Sequence, residues 1–196
     1  MSKYTDKRES FWKENFSRAL PYETYVTGSS FTGSSFEGKW RAFQSETSSL
    51  KVPSVLQTMT RKMPVLVLSG IWCGDCSRQG PLLNKIQEAN SLFEFRFAAS
   101  SEFLELKEEL KINGAEKVPV IVALNEDFHE VARFGDRHLS VYRDKLSTEL
   151  GAACDAGILP PEISALQEEF QEWVDFFERL QIMLRLAPGL RKRHRD

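Results

Sequence analysis

The chain has 196 residues, 41% of them hydrophobic and 28% charged, with a formal net charge of −2. That balance suits a chain that buries its own core and excludes a disordered or collagen-like composition. Near-neutral charge gives no overall attraction to nucleic acid or anionic lipid, and without a run of about 18 apolar residues no transmembrane helix is expected. The N-terminal stretch MSKYTDKRESFWKENF scatters charges where a secretory signal would be apolar, so a cytoplasmic location is expected. Three cysteines are too few and too odd in number for a secreted disulfide framework. In a reducing compartment a close cysteine pair points instead to catalysis or to metal. There is no internal repeat of solenoid or propeller period.

From Arg8 to Leu20 the residues Phe11, Trp12, Phe16, Ala19 and Leu20 recur at helical spacing until Pro21 ends the pattern. The Gly- and Ser-rich run Thr27 to Ser35 reads as a loop; it lacks the Gly-Lys-Ser/Thr ending of a phosphate loop and follows no strand. Residues 54–62 read as a helix, and Pro64 to Ser69 as a buried central strand. Ser77 to Ala89 carries Leu82, Leu83 and Ile86 at helical spacing, and Phe93, Phe95 and Phe97 then alternate with Glu94 and Arg96 as in a half-exposed strand. Glu102 to Ile112 reads as a helix ending near Asn113-Gly114. Val118 to Leu124 and Phe128 to Phe134 read as two strands joined at Asn125-Glu126-Asp127. Leu139 to Leu150 and Glu162 to Leu186 close the chain as helices separated by Gly157 and Pro160-Pro161. The pattern predicts an α/β fold with a mixed sheet over 54–150, a helical extension and loop over 1–53, and a helical extension with a basic tail over 151–196.

Trp72-Cys73-Gly74-Asp75-Cys76 places two thiols at the junction of a strand and a helix. Unpaired N–H groups and the positive dipole end at a helix start stabilise an anion, so Cys73 should ionise more readily than an isolated thiol. A thiolate attacks disulfides. Cys76, one turn further on, can then attack the mixed disulfide and leave Cys73 and Cys76 joined.

The apolar run followed by Trp-Cys-Gly-Asp-Cys resembles the active site of the thioredoxin family. Two further marks agree: Pro119 lies 43 positions past Cys76, where the family carries a cis-proline beside its cysteines, and Gly135 lies 16 positions past Pro119, at the family's glycine. The resemblance covers about residues 60 to 150 and implies a thioredoxin-like fold with helical extensions at both ends. It implies a thiol–disulfide oxidoreductase that reduces protein disulfides, with Cys73 as nucleophile and Cys76 as resolving thiol. No bound cofactor is implied, only a redox-active Cys73–Cys76 disulfide. Its partners would be client proteins with disulfides and an electron donor such as a thioredoxin-reductase-like flavoprotein or a small thiol. A cis bond before Pro119 would expose the backbone of Val118 beside the thiols for an extended substrate peptide. Trp72 is shared between a buried packing role and a contact surface at the rim, and Gly74 is assigned to a tight turn.

Two departures stand out. The family's common proline between the cysteines is Asp75 here, and its buried carboxylate, six positions before the first cysteine, is Val67. Asp75 suits a helix start, but its charge should raise the Cys73 pKa and favour a reducing couple. Proton transfer to Cys76 needs another route.

Cys154 is read as a helix-packing residue, His129 and His138 as surface polar, and Arg191 to Arg195 as a solvated, disordered tail. The apolar stripe from Ile163 to Leu184 is expected to pack on the domain or on Phe11 and Phe16. Two rival functions are a non-enzymatic adaptor or chaperone-like module presenting that helix, and a zinc site at the two cysteines. The second lacks another Cys or His pair at ligand spacing, so no metal is expected.

Overall fold

A computed structural model of the chain describes residues 5–28, 35–150 and 165–195, and for 147–150 only the backbone. Cys154, Ile163, the break from Gly157 to Pro161 and most of the Gly- and Ser-rich run therefore lie outside the described residues. In chain order the elements are α1 (Glu9–Arg18), α2 (Tyr22–Thr27), α3 (Ser35–Ser48), α4 (Val55–Thr58), β1 (Met63–Ser69), α5 (Gly74–Ala89), β2 (Phe93–Ala99) and α6 (Leu104–Glu109). They continue with β3 (Val120–Leu124), β4 (Glu130–Gly135), α7 (Leu139–Leu150), α8 (Ala165–Arg185) and α9 (Pro188–His194).

The sheet is mixed, in the order β2-β1-β3-β4. β1 is buried along its whole length, because both faces are covered. It runs parallel to β2, Met63 opposite Phe93, and antiparallel to β3, Val67 opposite Ile121. β4 lies antiparallel on the outer side of β3, Val120 opposite Gly135. Alternation along β1 separates two cores. Val65 and Val67 face Leu82, Leu83 and Ile86 of α5, with Tyr25, Trp40, Phe170, Trp173 and Phe177 in the same cluster. Leu66 and Leu68 face the other way, onto Trp12, Phe16, Phe103 and Leu106. The expected α/β architecture with helical extensions is present, and the long C-terminal helix packs on the domain itself, across the sheet from Phe16.

Several boundaries move for identifiable reasons. α2 and α3 are additional helices; in α3 Phe36, Trp40 and Phe43 follow helical spacing, a signal obscured by the Gly- and Ser-rich run before it. The helix expected over 54–62 stops at Thr58, and the Arg61 backbone is tied instead to the Gln181 side chain, its N–H donating at 3.0 Å and its carbonyl accepting at 2.9 Å. β3 begins at Val120, after a cis Val118-Pro119 bond, and Phe128 is excluded from β4 by its φ of 58°. Asn125 shapes that turn, its Oδ1 accepting the N–H groups of Asp127 and His129 at 2.9 Å each.

Two expectations are corrected outright. His138 is not a surface residue: it is fully buried between Phe134 and Trp173, tilted against the first ring and edge-on to the second, with centroid distances of 4.8 and 4.5 Å. Nor is the basic tail irregular, because Pro188 opens α9, and Arg193 and His194 of that helix meet Asp127. His129 is half-buried, 3.5 Å from Glu9.

Candidate active site

β1 delivers the chain to Gly70, and α5 starts at Gly74, three residues before the position the apolar pattern predicts. Cys73 is thereby the N-cap of α5: its Sγ accepts the backbone N–H of Cys76 at 3.4 Å. A sulfur in this position meets the unpaired donors of the first turn, which favour its anion. The hydrogen bond from the Cys76 thiol lowers the Cys73 pKa most, burial opposes it, and the backbone N–H groups of Cys76 and Asp75 add to the lowering; the net value is about 7. The Asp75 charge works in the opposite sense, as expected, without reversing the result. Both cysteines are free thiols.

Cys76 is almost wholly enclosed, at 1% exposure. Burial pushes its thiol well above the ordinary value, and the Cys73 sulfur adds to that rise. The Gly70 N–H donates to the Cys76 sulfur at 3.4 Å. The pair is thus divided into one thiol easily ionised at the helix start and one held protonated one turn on.

Val118 and Pro119 lie at the same site. The Cys73 thiol stands 3.6 Å from the Val118 carbonyl oxygen, and the peptide bond between Val118 and Pro119 is cis. Gly135 closes this corner for a steric reason: a Cβ there would come within 2.9 Å of the Pro119 carbonyl oxygen and of Ile112. Trp72 is 55% exposed, which places its ring at the rim and removes the buried alternative. Gly74 does not serve a tight turn. It is the first residue of α5, and a Cβ on it would meet nothing within 4 Å.

Asp75 is tied to a residue that sequence reasoning missed. Arg137, from the turn after β4, reaches the Asp75 carboxylate at 2.6 Å. Its neighbour Asp136 in turn meets Lys117 at 3.3 Å and the Tyr142 hydroxyl at 2.5 Å. Trp40 was also missed: its indole N–H donates at 2.9 Å to the Ile71 carbonyl, so α3 braces the loop that carries the cysteines. The signal for Arg137 was its place two residues past Gly135; nothing local marks Trp40 as a support of the site.

Among the described residues no three His, Cys, Asp or Glu side chains group as a metal site would need, and no helix is long and apolar enough to cross a membrane. A surface cavity of about 480 Å³ is lined by Thr5, Glu9, Lys13, Phe128, His129 and Arg193 among others and includes none of the motif residues.

Residues 38–143 match a protein-family model described as Thioredoxin. Among solved structures, a protein of unknown function from Pseudomonas aeruginosa is similar with a TM-score of 0.67 at 21% identity, over 91% of this chain and 99% of that one. An HIV epitope-scaffold gives 0.64 at 19% identity, over 85% and 97%. Thioredoxin f2 of Chlamydomonas reinhardtii aligns over 48% of this chain and 85% of its own, at 18% identity and a TM-score of 0.34. No curated protein matches the chain in sequence. The first two likenesses extend the shared fold over nearly the whole chain, and they speak to fold alone.

Proposed function

The chain belongs to the thioredoxin family, and from that premise we propose that it reduces disulfides in client proteins through Cys73 and Cys76. One observation carries the reading: the two thiols are electrostatically unequal, Cys73 lowered to about 7 at the start of α5 and Cys76 raised by burial one turn on. Near neutral pH a large share of Cys73 is thiolate, the attacking species.

In the first step the Cys73 thiolate attacks one sulfur of a client disulfide. A Cys73–client bond forms, the client's own S–S bond breaks, and the electron pair leaves on the second client sulfur, which takes up a proton. In the second step Cys76 attacks the Cys73 sulfur. The Cys73–Cys76 bond forms, the client's remaining sulfur leaves with the electron pair, and the proton lost by Cys76 is taken up by the leaving thiolate or by solvent. Two electrons have passed to the client. A donor, either a thioredoxin-reductase-like flavoprotein or a small thiol, must then return two electrons to Cys73–Cys76. Val118 beside Cys73 supplies a carbonyl to which an extended client backbone can donate, and the exposed Trp72 ring offers an apolar rim.

The reducing direction follows from the nucleophile. A strongly acidic thiol stabilises the reduced protein and makes its disulfide an oxidant, whereas a nucleophile near 7 belongs with reducing couples. Reduction of insulin by the full chain, supplied with thioredoxin reductase and NADPH, tests the reading. Turbidity that develops with the wild type and not with Cys73→Ser is expected; an inactive wild type under both this donor and dithiothreitol would contradict it.

A further inference from the structure

Resolution of the mixed disulfide requires Cys76 to lose its proton in a place from which water is excluded. The position six residues before Cys73 is Val67, which is buried and cannot help. Side chains two apart on a strand share a face, so Ser69 points to the same side of β1 as Val67 and lies one pleat nearer the motif. The next residue, Gly70, meets the Cys76 sulfur through its N–H at 3.4 Å, and Tyr25 of α2 packs in the same core cluster as Val67 and Cys76, so both hydroxyls belong to the buried corner that holds this thiol, where Ser69 favours the Cys76 thiolate. Ser69 is 1% exposed and Tyr25 4%, and neither hydroxyl has a hydrogen-bond partner among the described residues.

Two buried hydroxyls with unused hydrogen-bonding capacity are costly, about 1–3 kcal/mol each. An alanine and a phenylalanine would fill the same space without that cost. Hydrogen bonds that are long in a resting site and tighten as charge develops are a known property of reacting groups, and in the resolving step the charge develops on the Cys76 sulfur. We infer that Ser69 is a catalytic residue of the resolving step, donating its hydroxyl hydrogen to the sulfur of Cys76 as that sulfur becomes a thiolate, and that Tyr25 positions Ser69 by donating to its oxygen. The inference rests on the disulfide-exchange reading above and deepens it.

The bonds made and broken are those of the second step, and the hydroxyls change no oxidation state. Ser69 and the Gly70 N–H, already 3.4 Å from the sulfur, together replace the hydration that burial removes. The charged or titratable groups acting on this cluster are Cys73, Cys76 and, on the Tyr25 side, Glu102.

The test uses the full chain bearing Cys154→Ser and the reagent 5,5′-dithiobis(2-nitrobenzoate). Attack by Cys73 releases one nitrothiobenzoate and leaves the other bound to its sulfur; attack by Cys76 releases the second. Both rates are read in one trace. Ser69→Ala is expected to lower the ratio of second to first rate about tenfold, the loss of one hydrogen bond to a developing charge, and to move the pH midpoint of the second release upward. Tyr25→Phe should shift both readouts the same way by less, Ser69→Thr should restore them, and the thermal midpoint of Ser69→Ala and Tyr25→Phe should be no lower than that of the parent. An unchanged ratio in Ser69→Ala, or an equal fall in Ser69→Thr, overturns the inference while leaving disulfide exchange intact. A parent chain that shows no second release overturns the exchange reading and the inference with it.

Discussion

Asp75 sits between two opposite influences. Its carboxylate opposes the Cys73 thiolate, and Arg137 at 2.6 Å draws off part of that charge. Asp75→Asn removes the opposing charge and leaves the guanidinium beside the motif balanced only by Asp136 at 3.3 Å, and both changes favour the thiolate. The Cys73 pKa is therefore expected to fall below its present value of about 7, and the couple to become less reducing. Arg137→Gln should do the reverse. Thiolate absorbance against pH, with the equilibrium against glutathione, measures both, and a Cys73 pKa that does not separate the two variants would contradict the account. At this scale the cysteines, Trp72, Val118 and Pro119 were legible because the motif and its spacing are local or fixed by family pattern. Arg137, Ser69 and Tyr25 were not, since Arg137 gains its meaning only when the turn after β4 meets Asp75, and the two hydroxyls only when α2 and β1 pack with α5 in one core.

The helices around α5 hold the site through contacts with little tolerance. A Cβ on Gly80 would come 2.2 Å from the Trp40 ring, at the crossing of α3 and α5. Gly80→Ala is expected to cost roughly 1–3 kcal/mol through that clash, read as a lower midpoint in chemical denaturation; a neutral result would mean that α3 moves freely on α5. At the start of α7 the Glu172 carboxylate of α8 accepts the N–H groups of Leu139 and Ser140 at 3.0 Å each. Burial would raise its pKa, but the side chains of His138 and Ser140 and the Ser140 N–H outweigh that and bring it to about 2. A depressed folded-state value means that the stabilisation is complete above about pH 4.5 and is lost as pH falls toward 2. Glu172→Gln should thus cost about 1–2 kcal/mol at pH 7, a figure discounted for partial exposure, and almost nothing at pH 2; a cost independent of pH would contradict it. The central strands and α5 were readable from periodicity. The ends of α4 and β3 were not, because tertiary bonds from Gln181 and the turn at Pro119 set them.

Over the whole molecule the terminal segments are parts of the two cores. Tyr25 and Trp40 before β1, and Phe170, Trp173 and Phe177 after α7, fill the same cluster as α5 and the inner face of β1. Trp12 and Phe16 close the opposite face. The stripe on the last long helix and that on the first were both visible as patterns, but which face of the sheet each would cover depends on topology that no local pattern carries. The consequence for function is that both faces of the sheet are braced by added helices while Trp72, next to Cys73, stays exposed. The central claim, unequal thiols acting in sequence, is tested most directly by trapping. Cys76→Ser and Cys73→Ser chains are incubated with oxidised client proteins and run on non-reducing gels. The account predicts mixed disulfides with Cys76→Ser that dissolve on adding dithiothreitol, and none with Cys73→Ser; equal trapping by both variants, or by neither, would contradict it.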